Sequence, residues 1–223
     1  DDPNADDQKI YVVGSTKGRF PGVPNDQNKP VWVAEYNLED LTQNWVKQFS
    51  VNGDPFSEAA ALTVTENNIF LVGRSKNNGE DNNEDFDGWI GRLDRDEPDA
   101  SDDLSDLEIE EIATSQDDRA TDLTIDSDNN NIIYVSGTTA GTIGTLEPEQ
   151  NFGGNDAWLA KYEFDENNDP PTFTQENGWV TQVGTSEDDE GKGVITLPDD
   201  ETDPDPDDNV VLAGETEAVV DFD

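Results

Sequence analysis

The chain has 223 residues, of which 54 are Asp or Glu and only 12 are Lys or Arg, so its formal net charge is −42. It contains no His and no Cys, which excludes Ser-His-Asp triads, thiol nucleophiles, disulfides and zinc sites built from the usual ligands. Such a negative surface repels nucleic acids and anionic lipids, and no apolar run reaches the roughly 20 residues of a membrane-spanning helix, so we expect neither nucleic-acid binding nor membrane insertion.

Short runs rich in Val, Ile, Tyr and Trp alternate along the chain with stretches of Asp, Asn, Gly and Pro. Runs of this kind predict β-strands separated by turns, and no long segment has the 3.6-residue period of a helix. We therefore predict an all-β fold with very acidic loops. In chain order the runs are KIYVVG, VWVAEY, NIFLVG, NIIYVSG, DAWLAKY, NGWVTQVG and NVVLAG.

The strands recur in a fixed order, which is visible when the segments are aligned on a shared glycine. A strand with one Trp follows each of the first three glycine strands, then a third strand, then a fourth strand that leads into the next copy. Four strands per unit of variable length are typical of β-propeller blades. The glycine predicts close backbone approach or a bulge, and the tryptophans predict an inter-blade core. The glycines are Gly14, Gly73, Gly137 and Gly214, and the tryptophans are Trp32, Trp89 and Trp158.

The repeat predicts one propeller-type region over 1–223 with about three four-stranded blades plus a partial one. Closed propellers usually have 4–8 blades, and open sheet edges invite pairing. We therefore expect the chain to be a segment of a larger propeller or to be completed by other protein subunits. The predicted units are a partial blade at 9–50, blades at 59–114 and 120–184, and a partial blade at 191–223.

Three stretches resemble the bacterial seven-bladed β-propeller-like repeat often labelled SBBP. Asn151 to Tyr162 (NFGGNDAWLAKY) is similar to its GG-x-DAF-x-AK segment, and Gly184 to Val194 (GTSEDDEGKGV) to its G-x-S-x-DD-x-A-x-G opening. Thr124 to Val135 (TIDSDNNNIIYV) resembles its VDSSGN-VYV hairpin, with Asn in place of the turn glycine. The first copy is degenerate. The resemblance implies a propeller fold in a secreted or surface-displayed bacterial protein, and it carries no catalytic residues.

The charge itself indicates a setting. Self-repulsion of this size destabilises a compact chain at low salt, whereas salt screens exposed charges. We therefore expect an extracellular or cell-surface location in a saline medium, with the cytoplasm of a halophile as the main alternative.

Three groups of acidic or amide side chains alternate with other residues in loops, which is a pattern that can direct several oxygens at one calcium ion. None continues into a full twelve-residue calcium loop, and Asp and Asn are also common in hairpin turns. We therefore retain both interpretations, calcium ligands and solvated turns, and expect no organic cofactor. The candidate ligands are Asp126, Asp128 and Asn130; Asp203, Asp205 and Asp207; and Asp85 and Asp87.

These patterns favour a non-enzymatic extracellular module with a structural or adhesive role in a surface assembly. The alternative is a calcium-dependent module that binds carbohydrate or protein, so glycans are possible partners. A propeller hydrolase or lyase is the third alternative, because carboxylate pairs can cleave glycosides. The adjacent pairs Asp117-Asp118 and Asp188-Asp189 do not support it, since neighbouring side chains diverge and acidic pairs are common in this composition.

Overall fold

A computed structural model of the protein describes residues 8–23, 29–76, 85–95, 107–144, 151–168, 171–197 and 209–217. These residues form thirteen β-strands, and none of them belongs to a helix long and apolar enough to cross a membrane. The strands are β1 (Lys9–Ser15), β2 (Val31–Asn37), β3 (Gln43–Phe49), β4 (Glu58–Val64), β5 (Asn68–Lys76), β6 (Phe86–Asp94), β7 (Glu108–Ile112), β8 (Asp118–Ile125), β9 (Ile132–Thr139), β10 (Asp156–Asp165), β11 (Thr172–Val183), β12 (Asp189–Leu197) and β13 (Asn209–Thr216).

The strands form four antiparallel sheets in which chain neighbours are also sheet neighbours. Sheet 1 is β1-β2-β3, sheet 2 is β4-β5-β6-β7, sheet 3 is β8-β9-β10-β11 and sheet 4 is β12-β13. The prediction of an all-β fold with four-stranded propeller-type blades is confirmed. Sheets 2 and 3 are the complete four-stranded units, and sheets 1 and 4 hold three and two strands among the described residues.

Successive sheets pack face to face, so the middle strands are buried on both sides. In β5, Ile69 and Leu71 pack towards sheet 1, while Phe70 and Val72 pack towards sheet 3. The same alternation occurs in β9, where odd-numbered residues face sheet 2 and even-numbered residues face sheet 4. Burial on both faces explains why these strands are apolar at nearly every position instead of alternating with polar residues.

In sheets 2 and 3 the recurring glycine lies between a tryptophan on one neighbouring strand and a bulge on the other, in agreement with the close approach or bulge that the repeat predicts. Gly73 pairs with Trp89 on one side and with Ala59 on the other, where Ala60 is the extra residue of a bulge. A Cβ on Gly73 would lie 2.7 Å from the Trp89 ring and would overlap the Glu58 carbonyl oxygen. Only glycine leaves room for both neighbours. Equivalent bulges place Thr121 opposite the Gly137 region and Lys192 opposite the Gly214 region.

The residue after the glycine ties one sheet to the next. The Ser15 hydroxyl accepts the backbone N–H of Ala59 at 2.9 Å, which joins sheet 1 to sheet 2. The Thr138 hydroxyl accepts the N–H of Gly191 at 3.2 Å, which joins sheet 3 to sheet 4. Between sheets 2 and 3 the equivalent position holds Arg74, and this exchange of a hydroxyl for a guanidinium gives that junction a different chemistry.

Candidate functional site

The acidic turn between β8 and β9 uses its first carboxylate to hold the backbone. Oδ1 of Asp126 accepts the N–H groups of Asp128 and Asn129, both at 3.0 Å, and the Tyr134 hydroxyl donates to its Oδ2 at 3.1 Å. Asp128 and Asn130 are exposed on the same turn. The structure therefore gives Asp126 the role of an Asx-turn residue, and calcium binding by this group stays a prediction.

The other two groups of calcium candidates lie in other parts of the chain. Asp85 directly precedes β6, and Asp87 is a buried residue within that strand, 1% exposed. The group Asp203, Asp205 and Asp207 lies outside the described residues. In the part of the chain that the structure describes, no three or more acidic side chains converge in a way that could hold a metal ion.

A buried side chain closes each loop that leads from one sheet into the next. The backbone N–H of Thr114 donates to Asp118 at 2.5 Å, and the N–H of Thr185 donates to Asp189 at 2.5 Å. Ser57 has the same role before sheet 2, because its hydroxyl accepts the N–H of Val51 at 3.0 Å. Ser57 lies directly before β4, and Asp118 and Asp189 are the first residues of β8 and β12. Each of the three therefore holds the loop at the point where a new sheet starts.

A buried glutamine holds the loop that follows the glycine strand. In sheet 3, Gln182 accepts the N–H of Ile143 at 3.2 Å and donates to the Gly141 carbonyl at 3.0 Å and to Asp156 at 2.7 Å. Gln48 does the same in sheet 1, where it accepts the N–H of Phe20 and donates to the carbonyls of Gly18 and Lys29. The loops at this end of the sheets are thereby fixed to the last strand.

Several of the twelve cationic residues are concentrated at the end where the bulged strands begin. Within sheet 2, Arg74 Nη2 lies 2.7 Å from Glu58 Oε2. Between sheets 3 and 4, Arg119 Nη2 lies 2.6 Å from Glu190 Oε1, and Lys192 also pairs with Glu190. Each of these ion pairs is partly or fully exposed to solvent, so each contributes little to the free energy of unfolding. Their consequence is local, since they place positive charge in an otherwise anionic surface.

A cleft opens between sheets 2 and 3 beside these ion pairs, and we call it the junction cleft. Its volume is about 140 Å³, and a second recess of about 240 Å³ adjoins it and shares Arg74 and Arg119. The Arg74 guanidinium lies over the Phe86 ring, 4.6 Å from its centroid. The lining residues are Arg74, Phe86, Asp117, Asp118, Arg119, Thr138, Asn155 and Glu190.

Two residues that line this cleft each have one polar atom that solvent does not reach and that has no hydrogen-bond partner among the described residues. The atoms are Oδ1 of Asp118, a residue that is 2% exposed, and Nε of Arg119. One is an acceptor and the other is a donor. An unpaired buried polar group costs about 1 to 3 kcal/mol, so these two atoms lower the stability of the fold at this junction.

Burial raises the pKa of the Asp118 carboxyl to about 6, against the hydrogen bonds from Thr139 and Thr114 that lower it; the charge of Asp85 raises it further. Asp189 occupies the equivalent place before sheet 4. Desolvation raises its pKa too, but hydrogen bonds from Thr216 and Thr185 outweigh that effect and leave the pKa below its ordinary value. Both carboxyls accept the same kinds of hydrogen bond, so their pKa values shift in opposite directions because desolvation is stronger at Asp118, where the charge of Asp85 adds to it.

In the sequence, Asp117-Asp118 and Asp188-Asp189 are visible only as pairs of adjacent carboxylates. The structure separates the members of each pair, since Asp117 and Asp188 are exposed whereas Asp118 and Asp189 are buried. The junction cleft was not predicted. The available signal was the exchange at the position after the repeated glycine, where Ser15 and Thr138 correspond to Arg74, but one exchange in a degenerate repeat does not indicate a cavity.

The comparisons with known proteins add no family. No family model matches the chain, and no curated protein matches it significantly. The resemblance to the bacterial propeller repeat therefore stays a prediction that rests on the motifs quoted above.

Proposed function

We propose that the protein is a non-enzymatic structural or adhesive module of an extracellular surface assembly, built to pack against further blades. The observation that carries the proposal is that its two outer sheets are incomplete among the described residues. In sheets 2, 3 and 4 the glycine strand pairs with a bulged strand, whereas β1 pairs only with β2 in the part of the chain that the structure describes. Within the same described ranges, β13 pairs only with β12 and not with a tryptophan strand of the kind that adjoins the glycine strand in the other sheets.

The outer face of sheet 4 supports the same proposal. Ile195 and Val211 are paired across β12 and β13 and are 54% and 42% exposed, and Leu197 on the same face is 43% exposed. The opposite face of this sheet carries Val194 and Leu212, which pack on sheet 3. An apolar sheet face left in water favours association. The partner that fits is another blade, from a second subunit or from the same polypeptide.

Sedimentation velocity over a concentration series in about 0.5 M NaCl, where the charges are screened, tests the assembly. We expect concentration-dependent self-association of the chain. The double variant Ile195→Thr/Val211→Thr keeps β-branched side chains and should shift the equilibrium to monomer. The control variant Leu38→Thr replaces a residue that is 45% exposed in a turn of sheet 1, and it should associate like the parent. A chain that stays monomeric throughout, or equal association of both variants, contradicts the proposal.

Calcium-dependent binding of carbohydrate or protein is the alternative, and calcium is its proposed cofactor. Thermal unfolding with CaCl2 and with NaCl at matched ionic strength separates a bound ion from screening, because a ligand of the folded state raises the melting temperature by mass action. A higher melting temperature in calcium that is lost in the variant Asp128→Asn would assign the ion to the β8–β9 turn. Equal melting temperatures remove calcium from the account and leave the structural role unaffected.

A further inference from the structure

The glycine strand of sheet 4 is far more exposed than the equivalent strands of sheets 2 and 3. Nearly every residue of β5 and β9 is buried, and each of these strands pairs with a bulged strand on one side and a tryptophan strand on the other. Within the described ranges β13 pairs only with β12, and none of its 8 residues is buried. The second edge of β13 is therefore an open sheet edge, whose backbone N–H and C=O groups can pair with another strand.

Sheet 3 exposes an apolar side chain where that further strand would pack. Val183 is 55% exposed, whereas the equivalent residues Phe49 in sheet 1 and Ile112 in sheet 2 are 2% and 4% exposed. The three residues are equivalent because each pairs with the residue before the tryptophan of its own sheet. Trp89 of the following sheet packs on Phe49, with ring centroids 6.2 Å apart, and Trp158 lies in the same buried cluster as Ile112. A tryptophan of the next sheet thus covers this position at two junctions, and among the described residues none covers Val183.

A second aromatic side chain extends the apolar surface on the same face of β11. Trp179 stacks on Tyr134 of β9, with ring centroids 5.1 Å apart, and is still 36% exposed. Its equivalent in sheet 1 is Trp45, which packs against the core between sheets 1 and 2. We call the space beside the open edge of β13, bounded by Trp179 and Val183, the β13 slot. An open sheet edge next to an apolar surface fits the backbone and the side chains of an added strand.

The complete sheets indicate which strand fits the β13 slot. In sheet 2 the tryptophan strand places Trp89 opposite the glycine and Arg92 three residues later, and in sheet 3 Trp158 and Lys161 have the same places. A strand that pairs with β13 in this register puts its aromatic residue opposite Gly214 and towards the exposed apolar surface of β11. A basic residue three positions later also suits a chain with a net charge of −42.

We propose that the β13 slot accepts an antiparallel strand of a partner protein, which carries an aromatic residue opposite Gly214 and a basic residue three positions later. The inference rests on the structural or adhesive role proposed above, and it names an element through which the assembly is joined. In the described part of the chain the tryptophan strands β2, β6 and β10 are paired on both edges, so a second copy has no such strand to donate. Backbone hydrogen bonds along β13 supply affinity, and the aromatic contact with Val183 supplies specificity.

Nuclear magnetic resonance titration of the intact chain with a capped peptide FDGWIGRLD tests the slot. The peptide copies β6 (Phe86–Asp94) and is added to about 1 mM, because one short strand binds weakly. We expect saturable shifts at the β13 amides and nuclear Overhauser contacts from the peptide indole to the Val183 methyl groups. The absence of saturable shifts, or shifts confined to sheet 2, overturns the proposal.

A matched peptide with the change Trp89→Ala tests the aromatic residue. It keeps the charges and the length of the first peptide, and we expect it to bind at least tenfold more weakly, because large aromatic side chains dominate binding at such contacts. Equal affinity of the two peptides overturns the assignment of an aromatic residue to the slot.

Variants of the protein test the wall of the slot. Val183→Asp replaces the exposed apolar side chain with a charge, and we expect affinity for the tryptophan peptide to fall at least tenfold. Val183→Thr keeps the β-branched shape and serves in case the first variant does not fold. The control Leu38→Asp makes the same kind of change at a residue that is 45% exposed in a turn of sheet 1, and it should bind like the parent. Undiminished binding by both Val183 variants overturns the assignment.

Sedimentation velocity separates this inference from the proposed assembly. Val183→Asp leaves Ile195 and Val211 on the outer face of sheet 4 unchanged, so we expect it to associate like the parent. Peptide binding by a chain that stays monomeric supports the slot and contradicts the self-association proposed above. Association without peptide binding contradicts the slot alone. If Val183→Asp abolishes self-association, the occupant is a second copy of the chain, which overturns the choice of a different partner.

Discussion

Asp118 is the residue at which burial and charge conflict most directly. Its carboxyl lies between sheets 2 and 3 with a pKa of about 6, above the ordinary value of 3.8. The folded state therefore holds this proton at pH values where the unfolded chain has released it. It follows that the contribution of Asp118 to the free energy of unfolding is largest below about pH 4 and is lost as the pH rises through 6.

The variant Asp118→Asn tests this conflict, because an amide cannot ionise and its oxygen can still accept the Thr114 N–H. We expect the variant to gain stability relative to the parent as the pH rises from 4 to 7, by about 2 to 3 kcal/mol. Urea unfolding at a series of pH values measures it. The matched control Asp128→Asn removes the same charge from an exposed turn residue. If the stability of both variants has the same pH dependence, the raised pKa of Asp118 is wrong.

Gly137 is the second residue at which a single side chain decides the packing. A Cβ there would overlap the Arg119 carbonyl oxygen and the indole of Trp158, which is fully buried. We expect Gly137→Ala to lower the free energy of unfolding by about 2 kcal/mol or more, because neither neighbour can move without disturbing the core. At Gly18 the nearest atom would lie 3.5 Å away, so Gly18→Ala is the control. Chemical denaturation of the two variants gives the comparison, and equal losses would contradict the close approach.

The strands show how much of this fold the sequence contains. The order of glycine, tryptophan, third and bulged strands was predictable because every unit buries the same positions between two neighbours, so the apolar runs recur. The bulges at Ala60, Thr121 and Lys192 were implied only through the glycine that faces them. The loop-holding roles of Gln48 and Gln182 were not predictable. A single polar residue in a strand gives no sign that its side chain is buried, and these two are only 4% and 6% exposed.

At the scale of elements, the hydrogen bonds of Gln182 join β11 to the loop after β9. We expect their removal to lower the free energy of unfolding. Gln182→Ala leaves the Ile143 N–H, the Gly141 carbonyl and Asp156 without this partner, and we expect a loss of about 2 to 4 kcal/mol. Thr181→Ala, at the exposed neighbouring position of the same strand, should cost little. Amide hydrogen exchange should in addition show loss of protection at Ile143 in the first variant alone. Unchanged protection there means that Gln182 does not hold the loop.

The candidate site was less predictable than the strands, for a physical reason. The candidates Asp126 and Asp128 were selected by spacing along the chain, whereas the junction cleft joins residues from sheets 2, 3 and 4. Packing between sheets brings Arg74 and Arg119 close together. That packing depends on the lengths and paths of the loops that connect the sheets. In addition, the sequence does not distinguish the few buried carboxyls from the others among its 54 acidic residues.

At the scale of the whole molecule, the charge of −42 governs stability in solution. Raising NaCl from about 0.05 M to about 1 M shortens the screening length to roughly 3 Å, and we expect the melting temperature to rise by about 5 °C or more. Choline chloride at the same concentrations is the control. Equal rises in the two salts indicate screening, and a rise in NaCl alone indicates bound sodium. No rise in either salt contradicts the view that self-repulsion limits stability.

The propeller-type architecture depends most on the packing of the four sheets in chain order, with each sheet face to face with the next. Nuclear Overhauser contacts between selectively labelled aromatic and methyl groups measure that packing directly. We expect contacts from Phe49 to Trp89, whose ring centroids are 6.2 Å apart, from Phe70 to Phe164, at 5.4 Å, and from Tyr134 to the Val194 and Leu212 methyl groups. These contacts span the three junctions in turn. Strand pairing within sheets together with absence of all three junction contacts would contradict the propeller-type architecture.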